Sequence, residues 1–436
     1  MQIVPFILAG TFLRGIGCDF FMKKQVVLIG VGGYGDVYPS LYLRYPELYA
    51  QKMEVVGVVD PFAAAAPKAA WFAEKGIPVF DRAEDFYKTR QADLAVISSP
   101  IPQHKAQCLT AMENGSDVLC EKPLVPTVEE AAELIAVRNR CGRKLGVGFQ
   151  WSFCRPMTRL KRDILAGRFG RPVLLKSLIC WKRDTAYYSG GWKGKLRTRE
   201  GALILDSVVT NATAHYLHNI FFVLGDRPDT AAMPIHVAAE VYRAKPIESF
   251  DTVVLRGSFE NGARFWYGAT HSNDERDVTT FLYQFEKGEV RFNTDRRDDH
   301  VYAVFSDGTT EDYGNPQAFE ELNPKLLTML AASGGGEVVV PCGVETVLPH
   351  LKVCNGLFMQ VGIQDIDPAL VFASAEPEGV FVHGLSMGLS AAYAAGRLPS
   401  ELGLPFAGAA VTFSPAEIDR FTGVRQWETP VGGRGV

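Results

Sequence analysis

The sequence predicts an α/β chain in two parts, a doubly wound parallel sheet followed by a mixed or antiparallel sheet with one open face. Near-continuous apolar runs alternate with helical patterns from Lys24 to about residue 150, and such runs are strands buried on both faces, as in a parallel sheet. Past Trp151 the runs instead alternate apolar and polar residues and meet at EKGE and ENGA turns, the habit of strands with one solvated face. The length of 436 residues also exceeds one ordinary core, so two domains are expected.

The elements follow in order. Residues 1–21 read MQIVPFILAGTFLRGIGCDFF. Arg14 follows the apolar run instead of preceding it, no A-x-A site closes it, and it is too short to span a bilayer. Residues 1–22 are therefore expected to be an extension created by a start codon upstream of Met22. Strands are predicted at QVVLIG (25–30), EVVGVVD (54–60), DLAVISS (93–99), DVLCEK (117–122) and KLGVGF (144–149). Helices are predicted at 63–75, at 103–115 with Gly115 as a stop, and at 127–141, where TVEE forms a capping box between Thr127 and Glu130. Pro39 falls inside the first expected helix and either kinks it or shifts its start. This strand and helix repeat makes a doubly wound domain over residues 23–150. KRDILAGRFGRPVLLKSLICWKR then gives a helix, a turn and a long strand, and HVAAEVYRA, FDTVVLRGSF and ARFWYGATHS continue a second domain over 151–372. Residues 373–436 are richer in Gly, Pro and Ala and carry no motif; they are expected to form a C-terminal extension packed on the core or on a neighbour.

Apolar residues make up 47% and charged residues 22%, with a net charge of −4. That composition excludes a disordered chain and gives no basic field for nucleic acid or an anionic membrane. Past the N-terminus no segment approaches a bilayer-spanning apolar run, so a soluble protein acting on small molecules is expected. The cysteines, at 18, 108, 120, 141, 154, 180, 342 and 354, form no C-x-x-C pair and no Cys/His cluster at metal-binding spacing. They are expected to be reduced thiols of a cytoplasmic protein, mostly buried.

The chemistry begins where the first strand ends in GVGGYG, which fits G-x-G-x-x-G through Gly30, Gly32 and Gly35. Gly30 allows the tight turn, Gly32 lets the backbone approach a pyrophosphate, and Gly35 lets the helix pack on the strand; the helix N-terminus holds the phosphates. Gly33 and Tyr34 lie in the same cofactor loop. Asp60 ends the second strand, where its carboxylate either accepts hydrogen bonds from an adenosine ribose or closes a turn before Pro61. Pro61 and Phe62 bring no cation to offset a 2′-phosphate, so NAD is favoured over NADP. The stretch DVLCEKPLVP ends a buried strand in Glu121, Lys122 and Pro123. A lysine there costs free energy unless its charge is used. Ligands of an open parallel sheet lie beyond the carboxyl ends of the strands, which puts Lys122 at the nicotinamide end of the cofactor, within reach of a substrate oxygen.

Together GVGGYG, Asp60, ISSPIPQH, CEKPL, GFQWSFCRP and FGRP resemble the Gfo/Idh/MocA family of glucose-fructose oxidoreductases, inositol dehydrogenases and rhizopine-catabolism proteins. The resemblance covers about residues 24–225 well and the rest loosely. It implies an N-terminal Rossmann domain, then an α/β domain with a large open mixed, mainly antiparallel sheet whose open face makes dimer or tetramer contacts. It also implies an NAD(P)-dependent oxidoreductase acting on a hydroxyl carbon of a sugar, cyclitol or related polyol. Lys122 matches the family's catalytic lysine, with Glu121 beside it in the cofactor site. Ser99, Pro100 and His104 match the loop that ends in the family's histidine, Ser99 standing where the family has threonine. His104 reads equally well as a polar residue at a helix start.

Residues 206–225, DSVVTNATAHYLHNIFFVLG, read as a helix from about Asn211, on which Asn211, His215 and His218 share one face. The family carries D-x-G-x-H-x-x-D in this region. Counting back from Gly225 aligns His215 with its catalytic histidine, Asn211 with the first Asp, Thr213 with Gly and His218 with the second Asp, while Asp206 lies upstream. His215 is expected to act as general base with a pKa near working pH, and Lys122 to stabilise the same oxygen as it becomes an alkoxide. Replacing both carboxylates removes the charge that would raise the His215 pKa. Asn211 and His218 are expected to face the substrate. The loop WKRDTAYYSGGWKGK supplies Lys182, Arg183, Tyr187, Tyr188, Trp192 and Lys193: aromatic faces for a sugar and cations for hydroxyls or a carboxylate, or else an ordinary solvent loop. Residues 342–357 resemble the family's returning helix, with His350 at the edge of the site. Two other functions stay open. One is an enzyme that retains NAD and reduces and reoxidises it within one turnover on a glycoside; the other is a non-catalytic NAD-binding sensor.

Overall fold

The computed structural model describes residues 23–425 apart from Arg276 and Gly336. The expected N-terminal extension, 1–22, and the end of the tail, 426–436, lie outside the described residues. Six strands, β1 (Lys24–Ile29), β2 (Met53–Val59), β3 (Val79–Phe80), β4 (Leu94–Ile97), β5 (Asp117–Cys120) and β6 (Leu145–Val147), form a parallel sheet ordered β3-β2-β1-β4-β5-β6. The order reverses between β1 and β4, so the crevice of this sheet opens beyond their carboxyl ends. A 3-10 turn, Gly33–Asp36, precedes the helix Val37–Arg44. Pro39 thereby falls in a first turn, where its missing donor costs nothing. Thr127 caps the helix Val128–Cys141 by accepting from the Glu130 backbone at 3.4 Å. The reciprocal half of the expected capping box is absent from the cap, and one Glu130 carboxylate oxygen is buried without a partner.

Both faces of this sheet are covered, which is why its strands read as unbroken apolar runs. Val27 and Ile29 face a core that includes Val344, Val347 and Leu351 of the helix Val344–Gln360. Val26 and Leu28 face Leu326, Met329 and Leu330 of the helix Asn323–Ala332. Two helices from late in the chain thus clamp the first sheet, one on each side.

The second sheet has ten strands. They are β7 (Pro172–Cys180), β8 (His236–Arg243), β9 (Thr252–Ser258), β10 (Arg264–Thr270), β11 (Val278–Phe285), β12 (Gly288–Phe292), β13 (Val301–Phe305), β14 (Thr310–Gly314), β15 (Gln364–Asp365) and, beyond a hairpin of β16 (Val371–Ala375) and β17 (Glu378–Val382), β18 (Val411–Phe413). Their order is β14-β13-β12-β11-β7-β10-β9-β8-β15, with β18 also on β8. Only β7 with β10 and β8 with β15 run parallel, so the sheet is mixed and mainly antiparallel. Its inner face packs on the helix Ala214–Val223 through Leu217, Ile220 and Phe221.

The outer face departs from expectation. Leu178, Tyr242, Val254 and Trp266 pack against Leu385, Leu389, Ala392 and Phe406, on and after the helix Leu385–Ala395. Lys176 donates to the carbonyls of Tyr393 at 2.8 Å and Ala394 at 3.4 Å, placing a cation at the negative end of that helix. The Trp266 indole donates to the Arg397 carbonyl at 2.9 Å. The tail therefore covers the middle of the face that was expected to meet another subunit. Among the described residues no helix is long and apolar enough to cross a membrane.

Candidate active site

The glycine loop is built around the carboxyl end of β1. A Cβ on Gly30, whose φ is +80°, would lie 2.6 Å from the Ser99 nitrogen, and one on Gly35 would lie 2.3 Å from the Gly30 oxygen. A Cβ on Gly32 would meet nothing within 4 Å. The two outer glycines are thus enforced by protein, while the middle one borders open space of the kind a pyrophosphate needs. Asp60 accepts from the Val31 nitrogen at 2.9 Å and from the Phe62 nitrogen at 2.8 Å, so its carboxylate holds the glycine loop against the end of β2. Each oxygen keeps acceptor capacity for a ribose.

Lys122 crosses from β5 to the second half of the chain. Its ammonium donates to the Asn211 carbonyl at 2.8 Å and to Asn211 Oδ1 at 3.0 Å. Both partners are neutral. Burial pushes its pKa down to about 8, against the pull of the Glu121 and Asp206 carboxylates. Asp206 is 3% exposed and accepts from the Gly194 nitrogen at 2.6 Å. Burial raises its pKa to about 6, while bonds from Gly194 and the Asn211 amide and the charges of Lys122 and Lys193 hold it down. A run of Lys122, Asn211 and Asp206 follows. Asp206, set aside by the residue count, supplies the carboxylate behind Asn211. Leu205, beside it, takes a left-handed φ of 52°, an uncommon conformation for a branched side chain.

The expected helical stripe of Asn211, His215 and His218 is broken by a π-helical turn, Val208–Ala212, capped by Ser207; the regular helix begins only at Ala214. Asn211 and His215 remain half-buried, whereas His218 is 1% exposed. His218 stacks on Phe149 at 4.1 Å and pairs with the Ser152 hydroxyl at 3.0 Å, which puts it in the core and away from substrate. His215 lies 5.6 Å from the Phe149 ring and 6.4 Å from Trp151. Its Nδ1 is buried without a partner. Burial, then the charges of Lys122 and Lys325, hold its pKa well below the usual imidazole value. Burial thus favours the neutral His215 ring over the near-neutral titration expected of it, while the Lys122 pKa is pushed down to about 8.

Glu121 and His104 point away from the crevice. The Glu121 carboxylate pairs with the ammonium of Lys325, which is fully buried in the helix Asn323–Ala332, and accepts from the Tyr38 hydroxyl at 2.6 Å. The Tyr34 hydroxyl donates to Gln150 at 2.8 Å and accepts from Lys325 at 3.4 Å. This cluster ties the glycine loop to β5 and the late helix, and no sequence signal marked Lys325. His104 is 1% exposed. Its Nδ1 lies 2.9 Å from the Pro123 oxygen and its Nε2 2.7 Å from the Ser99 oxygen. It locks the Lys122 loop to the Ser99 loop and offers nothing to a cofactor. Ser99 and Pro100 stay at the end of β4 beside Gly30, with the Ser99 hydroxyl bound to Gln107 at 2.5 Å.

In the aromatic loop, the Lys182 ammonium donates to the Asp274 carbonyl at 2.6 Å and lies over Phe381 at 5.1 Å, so it is turned toward the β16–β17 hairpin. Arg183, Tyr187, Trp192 and Lys193 remain half-buried at the loop surface. The Tyr188 hydroxyl meets His271 Nδ1 at 2.6 Å. His350 is 5% exposed with Nε2 3.2 Å from the Val209 oxygen, so it backs the π turn instead of edging the crevice.

Residues 24–149 match the oxidoreductase family with an NAD-binding Rossmann fold. The chain is 28% identical over 196 residues to an inositol 2-dehydrogenase of Rubrobacter xylanophilus, covering 44% of this chain and 50% of that protein. It is 29% identical over 186 residues to a 1,5-anhydro-D-fructose reductase of Ensifer adhaerens, covering 42% and 53%. The matches thus span about half the length of these relatives. In three dimensions it resembles an oxidoreductase from Agrobacterium radiobacter, solved with NAD+, L-tartaric acid and magnesium, with a TM-score of 0.60 at 15% identity over 77% of this chain and 95% of that one. The glycine loop and the six-stranded sheet that carries it are the matched region, so this part of the chain is similar to the NAD-binding domain of the Gfo/Idh/MocA oxidoreductase family.

Proposed function

We propose that the protein is an NAD-dependent oxidoreductase that moves a hydride between the nicotinamide and a hydroxyl carbon of a sugar, cyclitol or related polyol. The observation that carries this reading is the meeting of Lys122, from the first sheet, with Asn211, one turn ahead of His215 in the second half. Relatives named inositol 2-dehydrogenase and 1,5-anhydro-D-fructose reductase support the substrate class. Gly32 would admit the pyrophosphate and Asp60 would receive the adenosine ribose, its charge favouring NAD over NADP. When bound, the cofactor supplies the hydride acceptor or donor at its nicotinamide ring.

The chain's own residues handle the proton. Lys122 spends two N–H groups on Asn211, so its neutral amine has a lone pair left for a hydroxyl proton, and its ammonium has a proton left for a carbonyl oxygen. A pKa of about 8 makes both forms available near working pH. His215, whose neutral form burial favours, orients the same hydroxyl. In the oxidising direction the carbinol C–H bond breaks as a hydride leaves, the O–H proton passes to the Lys122 amine, and a carbonyl forms.

The seven described cysteines are unpaired thiols, which supports a reducing, cytoplasmic setting. A homo-oligomer would use the part of the outer face the tail leaves open, around Leu282, Tyr302 and Val304, which are half-buried. The test is absorbance at 340 nm with NAD and a panel of cyclitols, aldoses and sugar acids. Accumulating NADH supports the reading. Turnover on none of them, with NAD bound, would overturn it in favour of a sensor.

A further inference from the structure

The aromatic loop holds two cations, Arg183 and Lys193, without an ion-pair partner among the described residues; Arg183 Nη1 reaches the Lys182 carbonyl at 3.5 Å. Arg183 lies over the Trp181 ring at 5.3 Å and the Tyr187 ring at 5.2 Å, and Lys193 lies over the same Tyr187 ring at 4.0 Å. Among the described residues neither forms an ion pair, and Arg183 Nε is buried without a hydrogen bond. A guanidinium left half-buried with an unused N–H is costly unless an acceptor arrives. Lys182, next in sequence, differs in that its ammonium is turned away and donates to the Asp274 carbonyl at 2.6 Å.

Two routes connect these cations to the reacting pair. Arg183 rests on Trp181, which meets Tyr216 at 5.8 Å; Tyr216 meets Trp151 at 4.7 Å and adjoins His215. Lys193 precedes Gly194, whose nitrogen binds Asp206, and Asp206 leads through Asn211 to Lys122. The cations therefore stand one layer out from the proposed site of hydride transfer. Asp206 offsets one of the positive charges there. Arg183 has no ion pair among the described residues, and its planar fork suits a carboxylate.

We infer that Arg183 and Lys193, flanking Tyr187, form a carboxylate subsite, so that the substrate is a sugar acid whose acid group sits away from the reacting carbinol. This rests on the oxidoreductase reading for the identity of the site, and it goes further in naming the substrate's charge. A planar guanidinium offers a carboxylate paired N–H donors, and charge-assisted bonds of this kind are about twice as strong as neutral ones.

The test is calorimetric binding to the NAD-saturated full chain, with D-gluconate and D-glucuronate as acid probes, D-glucose and myo-inositol as neutral probes, and D-glucose 6-phosphate as the dianion. The acids should bind about tenfold or more tightly than the neutral compounds, and the preference should shrink as salt rises from low to high. Arg183→Gln with Lys193→Gln should bring the ratio of acid to neutral affinity close to one, while Arg183→Lys should keep part of it; circular dichroism checks that each variant is folded. Equal affinity for neutral and acid probes, tighter binding of the phosphate, no measurable binding of either acid, or an unchanged ratio in the double variant would each overturn the subsite. Acid-selective binding without NADH formation would end the oxidoreductase reading and leave the subsite standing. NADH formation from neutral polyols alone would do the reverse.

Discussion

Two lysines neighbour Glu121, Lys325 fully buried and Lys122 half-buried, and they behave oppositely. Lys325 pairs with the Glu121 carboxylate and touches the Tyr34 hydroxyl. Burial works against its charge, yet Glu121 and Tyr34 outweigh it and hold the pKa above the ordinary lysine value. Lys122, the very next residue after Glu121, is given the two oxygens of a neutral asparagine, and burial wins. The difference teaches that depth alone does not make a lysine chemically useful. A full counter-charge fixes the ammonium as a structural ion, whereas dipoles alone leave it ready to lose a proton near neutral pH.

The hardest test of this contrast is to remove the titrating member. Lys122→Ala should lower turnover by roughly 10²- to 10⁴-fold while NAD still binds, which corresponds to about 3 to 5 kcal/mol of barrier. His215→Ala should cost less, because the proton passes to Lys122 and His215 only orients the hydroxyl. Steady-state rates with NADH detection check both, and wild-type turnover in Lys122→Ala would remove the lysine from the chemistry.

Breaking the structural pair should show up in stability instead. Glu121→Gln leaves the Lys325 ammonium fully buried without its counter-charge, and such a loss costs about 3 to 5 kcal/mol. Urea unfolding of the variant should show it. Adding Lys325→Met should recover most of the loss, since an apolar chain of similar length needs no partner. Because the Lys325 pKa is raised in the folded protein, the pair's contribution should be complete below the ordinary lysine pKa and fade as pH rises through the folded value. A double variant no more stable than Glu121→Gln would mean that packing, and not charge, sets the cost.

The same contrast explains what could be read in advance. Five of the six parallel strands were legible because burial on both faces leaves unbroken apolar runs, while β3, two residues long, leaves no pattern. The glycine loop and Lys122 were legible because each breaks a rule of buried strands. Lys325 was not, since a lysine in NPKLLTML reads as a solvent-facing helix residue until the helix is placed against the first sheet. The π turn over Val208–Ala212 breaks the register only for Asn211; His218 shares the regular helix with His215 but is drawn into the core by Phe149 and Ser152, so helical spacing did not give equal exposure. Glu121 was assigned to the cofactor beside Lys122, but adjacent strand-end residues point opposite ways; His104, assigned through the family's loop, lies in the helix Ile101–Glu113 with both ring nitrogens against carbonyl oxygens. The cover on the outer face of the second sheet came from a tail without motifs, whose apolar residues found their partners only in three dimensions.

The smallest predicted effect is the sharpest, because it turns one lysine into the other. In wild type the oxidation rate should rise with pH through about 8, as Lys122 loses its proton and gains the capacity to accept one. The reducing direction should fall through the same point. Asn211→Asp replaces the neutral partner with a carboxylate at the atom that now accepts from Lys122 at 3.0 Å. An opposite charge at that distance favours the ammonium, and the midpoint should move up by about 1 to 2 pH units, or roughly 1.4 kcal/mol per unit. At pH 8 the variant should therefore oxidise more slowly and reduce at least as fast. Asp206 also pulls the Lys122 pKa up, so Asp206→Asn alone should move the midpoint down. A midpoint that stays near 8 in both variants would mean that the titrating group is not Lys122, and the contrast between the two lysines would lose its functional meaning.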